Sequence, residues 1–201
     1  GYWGWDQHRA TGAADVKAWA HEVQAVLSSR PDGWVVTAPE RVDSTNGVVG
    51  TSLDDGSVRL QNPKDFAETR YKRPSSRHEL VLSPSNVPIS TVRFEVLPDE
   101  SHGGYVTRDQ RELFEVSVTL AVRRAGQSGE EKIEPAEAFA TCETETYFNG
   151  RPRVSLLEGW RSSRALARTA QAMVFQLRRP LVLGAGDRLV ATVLTAPVNF
   201  H

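Results

Sequence analysis

The sequence predicts an all-β protein, an antiparallel β-sandwich of the jelly-roll kind, entered through one N-terminal α-helix. Three observations predict it. Apolar and polar residues alternate over many short runs, the period of a half-buried strand. Turn residues rather than helices separate those runs. A parallel α/β sheet would need crossover helices, and only SSRALARTAQ, residues 162–171, has room for a further helical turn or two.

Residues 13–30 carry the helical pattern. Val16, Trp19, Ala20, Val23, Val26 and Leu27 fall three and four apart and form one apolar stripe. Thr11 or Asp15 would cap its start, and RPDG, Arg30 to Gly33, would stop it. Residues 1–33 are therefore a lead-in segment and 34–201 the sandwich. The opening GYWGWDQHR lies before the helix. Its clustered Tyr2, Trp3 and Trp5 suit packing at a domain boundary better than a sugar platform, and the chain reads as a piece of a larger protein.

The strands then follow in order. WVVT begins the series at Trp34, and GTSLDDGSVRL reads as a hairpin turning at Asp55 and Gly56. STVRFEV places Val92, Phe94 and Val96 on one face. LFEVSVTLAV is the clearest strand, with Phe114, Val116, Val118, Leu120 and Val122 together and Glu115, Ser117 and Thr119 opposed. RRAGQSGEEK is a polar loop. AMVFQL and DRLVATVLTA close the chain.

Composition narrows the function. The 201 residues are 39% apolar and 24% charged, enough for one domain with a core. No apolar run approaches the ~20 residues of a membrane span. A formal net charge of −1 argues against a general nucleic-acid binder. The single cysteine, Cys142, has no intrachain partner and reads as a small buried residue in a strand. G-x-S-x-G, H-E-x-x-H and C-x-x-C-H are all absent, and GAGDRL lacks the third glycine of a dinucleotide loop.

Charge distribution says more than net charge. Arg151 to Arg188 contains eight arginines and only Glu158 and Asp187 as acids, a segment of +6. Glu130 to Glu145 holds six glutamates against Lys132, a segment of −5. Arginine forks suit carboxylate or sulfate groups, and Trp160, in EGWRSSR, would stack on a sugar ring. The other reading is that the two segments neutralise each other across neighbouring strands, with Trp160 buried. His102, in PDESHGGY, is either a solvated loop histidine or a ligand and acid–base group. The acids of LDDG and LPDE are either turn formers or oxygen ligands for a structural calcium.

DGWVVTAPERV, LDDGSVRL, ISTVRFEVLPDE and ELFEVSVT, in that order, resemble a β-sandwich domain found inside large planctomycete-type, membrane-associated c-type cytochromes. Trp34, Asp55 to Val58, Thr69 to Tyr71, Leu97 to Asp99 and Leu113 to Val116 stand in the places of that family's strand motifs. YFNGRPRVSLLEGW is similar to its D-G…G-W stretch, AMVFQLRRPLVLGAGDRLVATV to its closing strand pair, and KAWAHEV to its lead-in helix. The resemblance spans about residues 17 to 195. Asn149 stands where the family carries aspartate, and the loop after Leu97 is shorter than the family's.

The resemblance implies a galactose-binding or discoidin-like jelly roll, similar to carbohydrate-binding modules, in the cell envelope or periplasm. Haem belongs elsewhere in such a parent protein, and no cofactor is expected in this chain. The expected function is non-catalytic recognition of an acidic or sulfated polysaccharide. Trp160 would stack, Arg161, Arg151 and Arg153 would pair with anionic groups, and Tyr147 and His102 would lie further out. The alternative is a structural domain that docks on the parent's other domains, with Trp160 buried. A glycan-active hydrolase or lyase would need two carboxylates across a cleft.

Overall fold

The computed structural model describes residues 18, 20, 21, 24, 28, 32–63, 75–84, 88–142, 146–148, 151–153, 156, 157 and 159–196. The chain divides into two compact units, Gly1–Val36 and Thr37–His201. In the first, Ala18, Ala20, His21, Gln24 and Ser28 have helical backbone and are exposed, and Ser28 Oγ donates to the Gln24 carbonyl at 2.7 Å. Among the described residues no uninterrupted helix of seven residues occurs. The apolar stripe expected over 13–30, the cap and the aromatics of GYWGWDQHR lie outside the described residues, apart from Ala20. WVVT is not a strand: residues 34–38 have no regular secondary structure, and Val35 and Val36 are exposed. An alternating run stays irregular when no neighbouring strand takes its backbone bonds.

The second unit is built from antiparallel strands. In chain order they are β1 (Pro39–Ser44), β2 (Val49–Ser52), β3 (Val58–Gln61), β4 (Ser76–Leu82), β5 (Ile89–Val96), β6 (Glu115–Arg123), β7 (Glu131–Ile133), β8 (Pro135–Ala140), β9 (Thr146–Phe148), β10 (Arg151–Arg153), β11 (Trp160–Arg161), β12 (Gln171–Leu181) and β13 (Arg188–Ala196). A six-stranded sheet has the order β1-β4-β13-β6-β11, with β7 also on β6. A three-stranded sheet has the order β5-β12-β8, and β2–β3 and β9–β10 are separate two-stranded ribbons. Only Glu134 separates β7, in the larger sheet, from β8, in the smaller one.

Alternation decides which faces are buried. On β6, Val116, Val118, Leu120 and Val122 point inward, as their period-two spacing requires. Met173, Phe175 and Leu177 do the same on β12. Val116, Val118, Leu120, Met173, Phe175 and Leu177 join one core cluster with Val92 and Phe94 of β5 and Ala191 and Val193 of β13, so both sheets bury apolar residues in shared space, and Val122 joins a smaller cluster with Leu183 and Leu189. Each fully buried Phe or Met contributes about 1.5–3 kcal/mol relative to exposure.

The turns follow local chemistry. Between β2 and β3, Leu53 N–H donates to the Ser57 carbonyl at 2.9 Å, and Gly56 supplies the positive φ of 83°. Asp55 Oδ1 accepts from Ser57 N at 2.9 Å, which fixes the predicted Asp55–Gly56 turn. SSRALARTAQ yields one 3-10 turn, Arg164–Leu166.

Candidate functional site

Trp160 is a core residue. It is 0% exposed, and its ring meets Phe114 edge-on, with centroids 5.1 Å apart and planes at 88°. The indole Nε1–H donates to the Cys142 carbonyl at 2.9 Å, which satisfies its one polar atom. The pairing of Trp160 with Val116 puts it at the edge of the larger sheet. Beside it, Phe114 N–H donates to Ser162 Oγ at 3.0 Å, and Ser162 N–H donates to the Phe114 carbonyl at 3.1 Å. A ring buried this way offers no face to a sugar, so the stacking role expected of Trp160 is replaced by a packing role.

The other expected site residues separate into groups. Arg161 is half-buried, opposite Glu115 in the β11–β6 register. Arg151 and Arg153 lie on β10 opposite Phe148 and Thr146, while Tyr147 pairs with Pro152. That ribbon is distinct from the sheets carrying Arg161 and His102's neighbours. His102 ends the 3-10 turn Glu100–His102, where its buried Nε2 has no hydrogen-bond partner among the described residues.

The end of the fold where β5 stops and β12 begins gathers several polar side chains. Asp99 caps the 3-10 turn: its Oδ1 accepts from Ser101 N at 2.8 Å and its Oδ2 from Arg59 Nε at 2.8 Å. The bond from the Ser101 hydroxyl, with those from Arg59 and the Ser101 N–H, outweighs the opposing effect of burial and holds its carboxyl down to about 2. Gly103 and Gly104, at φ 67° and 77°, turn the chain back to Tyr105. Val106 N–H then donates to the Ala167 carbonyl at 3.0 Å, and both residues are buried. That bond fixes the next pair outward: the Arg168 guanidinium carbon lies over the Tyr105 ring, 4.3 Å from its centroid. Nearby, Gln171 Nε2 donates to the Leu166 carbonyl at 2.9 Å, while its buried Oε1 has no partner among the described residues.

A second polar group lies inside. His78, 1% exposed, has Nδ1 2.9 Å from Ser44 Oγ and Nε2 3.5 Å from Arg108 Nη1. Arg108 also donates to Ser76 Oγ at 3.0 Å and to Asn62 Oδ1 at 2.7 Å. A guanidinium only donates, so His78 Nε2 accepts and the proton of the neutral ring sits on Nδ1, facing Ser44. Burial, with Arg108 adding to it, lowers the His78 pKa to about 4.

On the opposite face of β4, Glu79 meets Arg123 at 3.1 Å, Arg77 at 3.0 Å and Arg41 at 3.6 Å. Burial raises its pKa, but the guanidinium groups of Arg123 and Arg77 outweigh burial and lower it. Asp187 accepts from Ala125 N and Gly184 N, each at 2.9 Å, and from Arg124 at 2.8 Å. Those bonds, the one from Ala125 first, hold its carboxyl at about 2.

The acids of LDDG and LPDE thus serve turns through Asp55 and Asp99. Among the described residues no three His, Cys, Asp or Glu side chains converge as metal ligands would. Among residues whose side chains are described, no ion pair joins an arginine of 151–188 to a glutamate of 130–145. Glu130 and Glu131 pair instead with Arg123 and Arg124. The sequence reading missed both the Tyr105–Arg168 and His78–Arg108 pairs, because each joins segments far apart in the chain.

Comparison of the chain with family models, with curated proteins and with solved structures finds no match.

Proposed function

We propose that this chain is a non-catalytic binding module that recognises an acidic or sulfated polysaccharide, carried on a jelly-roll-like sandwich within a larger envelope cytochrome. The supporting observation is an asymmetry among the arginines. Outside the arginine-rich stretch Arg41, Arg59, Arg77, Arg123 and Arg124 each meet a carboxylate, and within it Arg164 and Arg188 do. Within the arginine-rich stretch, Arg161, Arg168, Arg178 and Arg179 form no ion pair among the described residues. Guanidinium groups without an internal acid remain available to carboxylate or sulfate groups of a partner. Affinity electrophoresis through gels containing polygalacturonate, dextran sulfate or neutral dextran tests the reading. Retardation by an acidic polymer that weakens with added salt is expected. Equal mobility in all three gels sinks it.

A second reading, a docking domain without a glycan ligand, is favoured by two observations. Trp160 is buried, and Phe139 of β8 is 51% exposed on the outer face of the smaller sheet. Its register neighbour across the sheet is Val174, followed by Arg93. A rigid, exposed aromatic residue beside Val174 suits a protein partner. Substitution of Phe139 by Ser would then abolish co-purification with the parent's remaining domains while leaving glycan retardation unchanged.

A further inference from the structure

We propose that Arg168, held over the Tyr105 ring, is the oxyanion-binding residue of this domain, taking a carboxylate or sulfate group of a polysaccharide; the inference rests on the acidic-polysaccharide reading above. Arg168 is exposed, and among the described residues it makes no hydrogen bond or ion pair. The ring lies beneath the guanidinium carbon and accepts none of its N–H donors in a conventional hydrogen bond.

The support beneath the pair is rigid. Val106 and Ala167, the residues next to Tyr105 and Arg168, are buried and joined through their backbones at 3.0 Å. Asp99 braces the Tyr105 loop from the other side, through Arg59 and through its isolated bridge to Tyr105. A fork held in place loses less side-chain entropy on meeting an anion than a free surface arginine does.

The surroundings leave the charge unanswered. Arg164, one turn earlier, has Glu112 at 3.7 Å, with both side chains well exposed. Glu112 is thereby engaged, and Asp99 is bonded to Arg59 and Ser101. Arg178 and Arg179, two further arginines without ion pairs among the described residues, lie far along β12 and have no ring beneath them among those residues. They provide an internal control of equal charge.

The test uses the full chain in the same three gels, with R168K, R168A, Y105F, Y105L and R178A. R168K keeps the charge but loses the planar fork. It is expected to weaken retention by about tenfold, the loss of one charge-assisted bonded pair. Y105F keeps the ring and retains affinity, whereas Y105L weakens it. R178A, with the same charge change as R168A, has a smaller effect than R168A. R168K retained like the unmodified chain, or R178A equal to R168A, overturns the site. Absence of retention of the unmodified chain defeats the polysaccharide reading itself, a different result from retention that ignores Arg168. Polygalacturonate against dextran sulfate separates a carboxylate from a sulfate ligand. A measurement on the unmodified chain guards against misfolded variants. The Arg168 Nε–Hε resonance should shift on titration with dextran sulfate oligomers while that of Arg178 holds still, and the reverse pattern overturns the proposal.

Discussion

Arg108 and His78 share one buried hydrogen-bonding position: Arg108 Nη1 lies 3.5 Å from Nε2 of a ring that is 1% exposed. The position tolerates one arrangement of protons. A proton added at Nε2 would set two cations side by side and displace the guanidinium that also holds Ser76 and Asn62.

Stability should therefore fall in mild acid. The His78 pKa is lowered from 6.5 to about 4 in the folded chain, so the unfolded chain binds the extra proton first. The neutral ring's contribution is fully present above pH 6.5 and is lost as pH falls from there through about 4. The full shift corresponds to about 3 kcal/mol, an upper bound for the effect. Urea unfolding at pH 7, 5 and 4 measures it. In H78Q the slope of stability over that window should flatten, and an unchanged slope would assign the acid limb to another group.

Glu79 gathers three arginines on one carboxylate with a side chain 12% exposed. E79Q keeps the shape and removes the charge, leaving Arg77 without its carboxylate while Arg41 keeps Asp43 and Arg123 keeps Glu130. A loss of about 1–3 kcal/mol is expected. Chemical denaturation in 50 mM and 500 mM NaCl should show the deficit shrinking with salt, a dependence that a pure packing defect lacks.

Trp160 should matter to stability and not to glycan retention. W160A removes the edge-on contact with Phe114 and the bond to the Cys142 carbonyl, and should cost about 3–5 kcal/mol. W160F keeps part of the packing and should cost less. Folded W160F should be retarded by acidic gels as the unmodified chain is. A selective loss of retardation would return Trp160 to the binding surface.

Gly50 on β2 lies against Val42 of β1: a Cβ at Gly50 would stand 2.5 Å from Val42 Cγ1. Valine has few rotamers with which to yield. G50A should destabilise by about 1–3 kcal/mol. V42A should relieve part of that cost, so the double variant's loss, measured by thermal unfolding, should be smaller than the sum of the single losses.

The residues that were legible in the sequence are those whose fate is decided by near neighbours. Val116 to Val122 announce an inward face because strand geometry forces alternation, and Asp55–Gly56 announces a turn because its bonds close within a few residues. Trp160 was not legible. In EGWRSSR it stands among polar residues, yet the ring that receives it, Phe114, comes from a distant segment and Ser162 is itself buried. WVVT shows the reverse: its local pattern is that of a strand, and among the described residues no strand pairs with it. The Tyr105–Arg168 contact depends on one backbone bond between two loops, a fact carried by topology and not by either loop's composition.

The passage of the chain through Glu134 has a mechanical consequence. Ile133 is paired in the larger sheet and Pro135 in the smaller one, with a single residue between them. Tension that peels β8 from β12 is transmitted within one residue to β7 and so to β6 of the other sheet. The two sheets therefore share a hinge too short to let one open while the other stays closed, and pulling on either should rupture both in a single event.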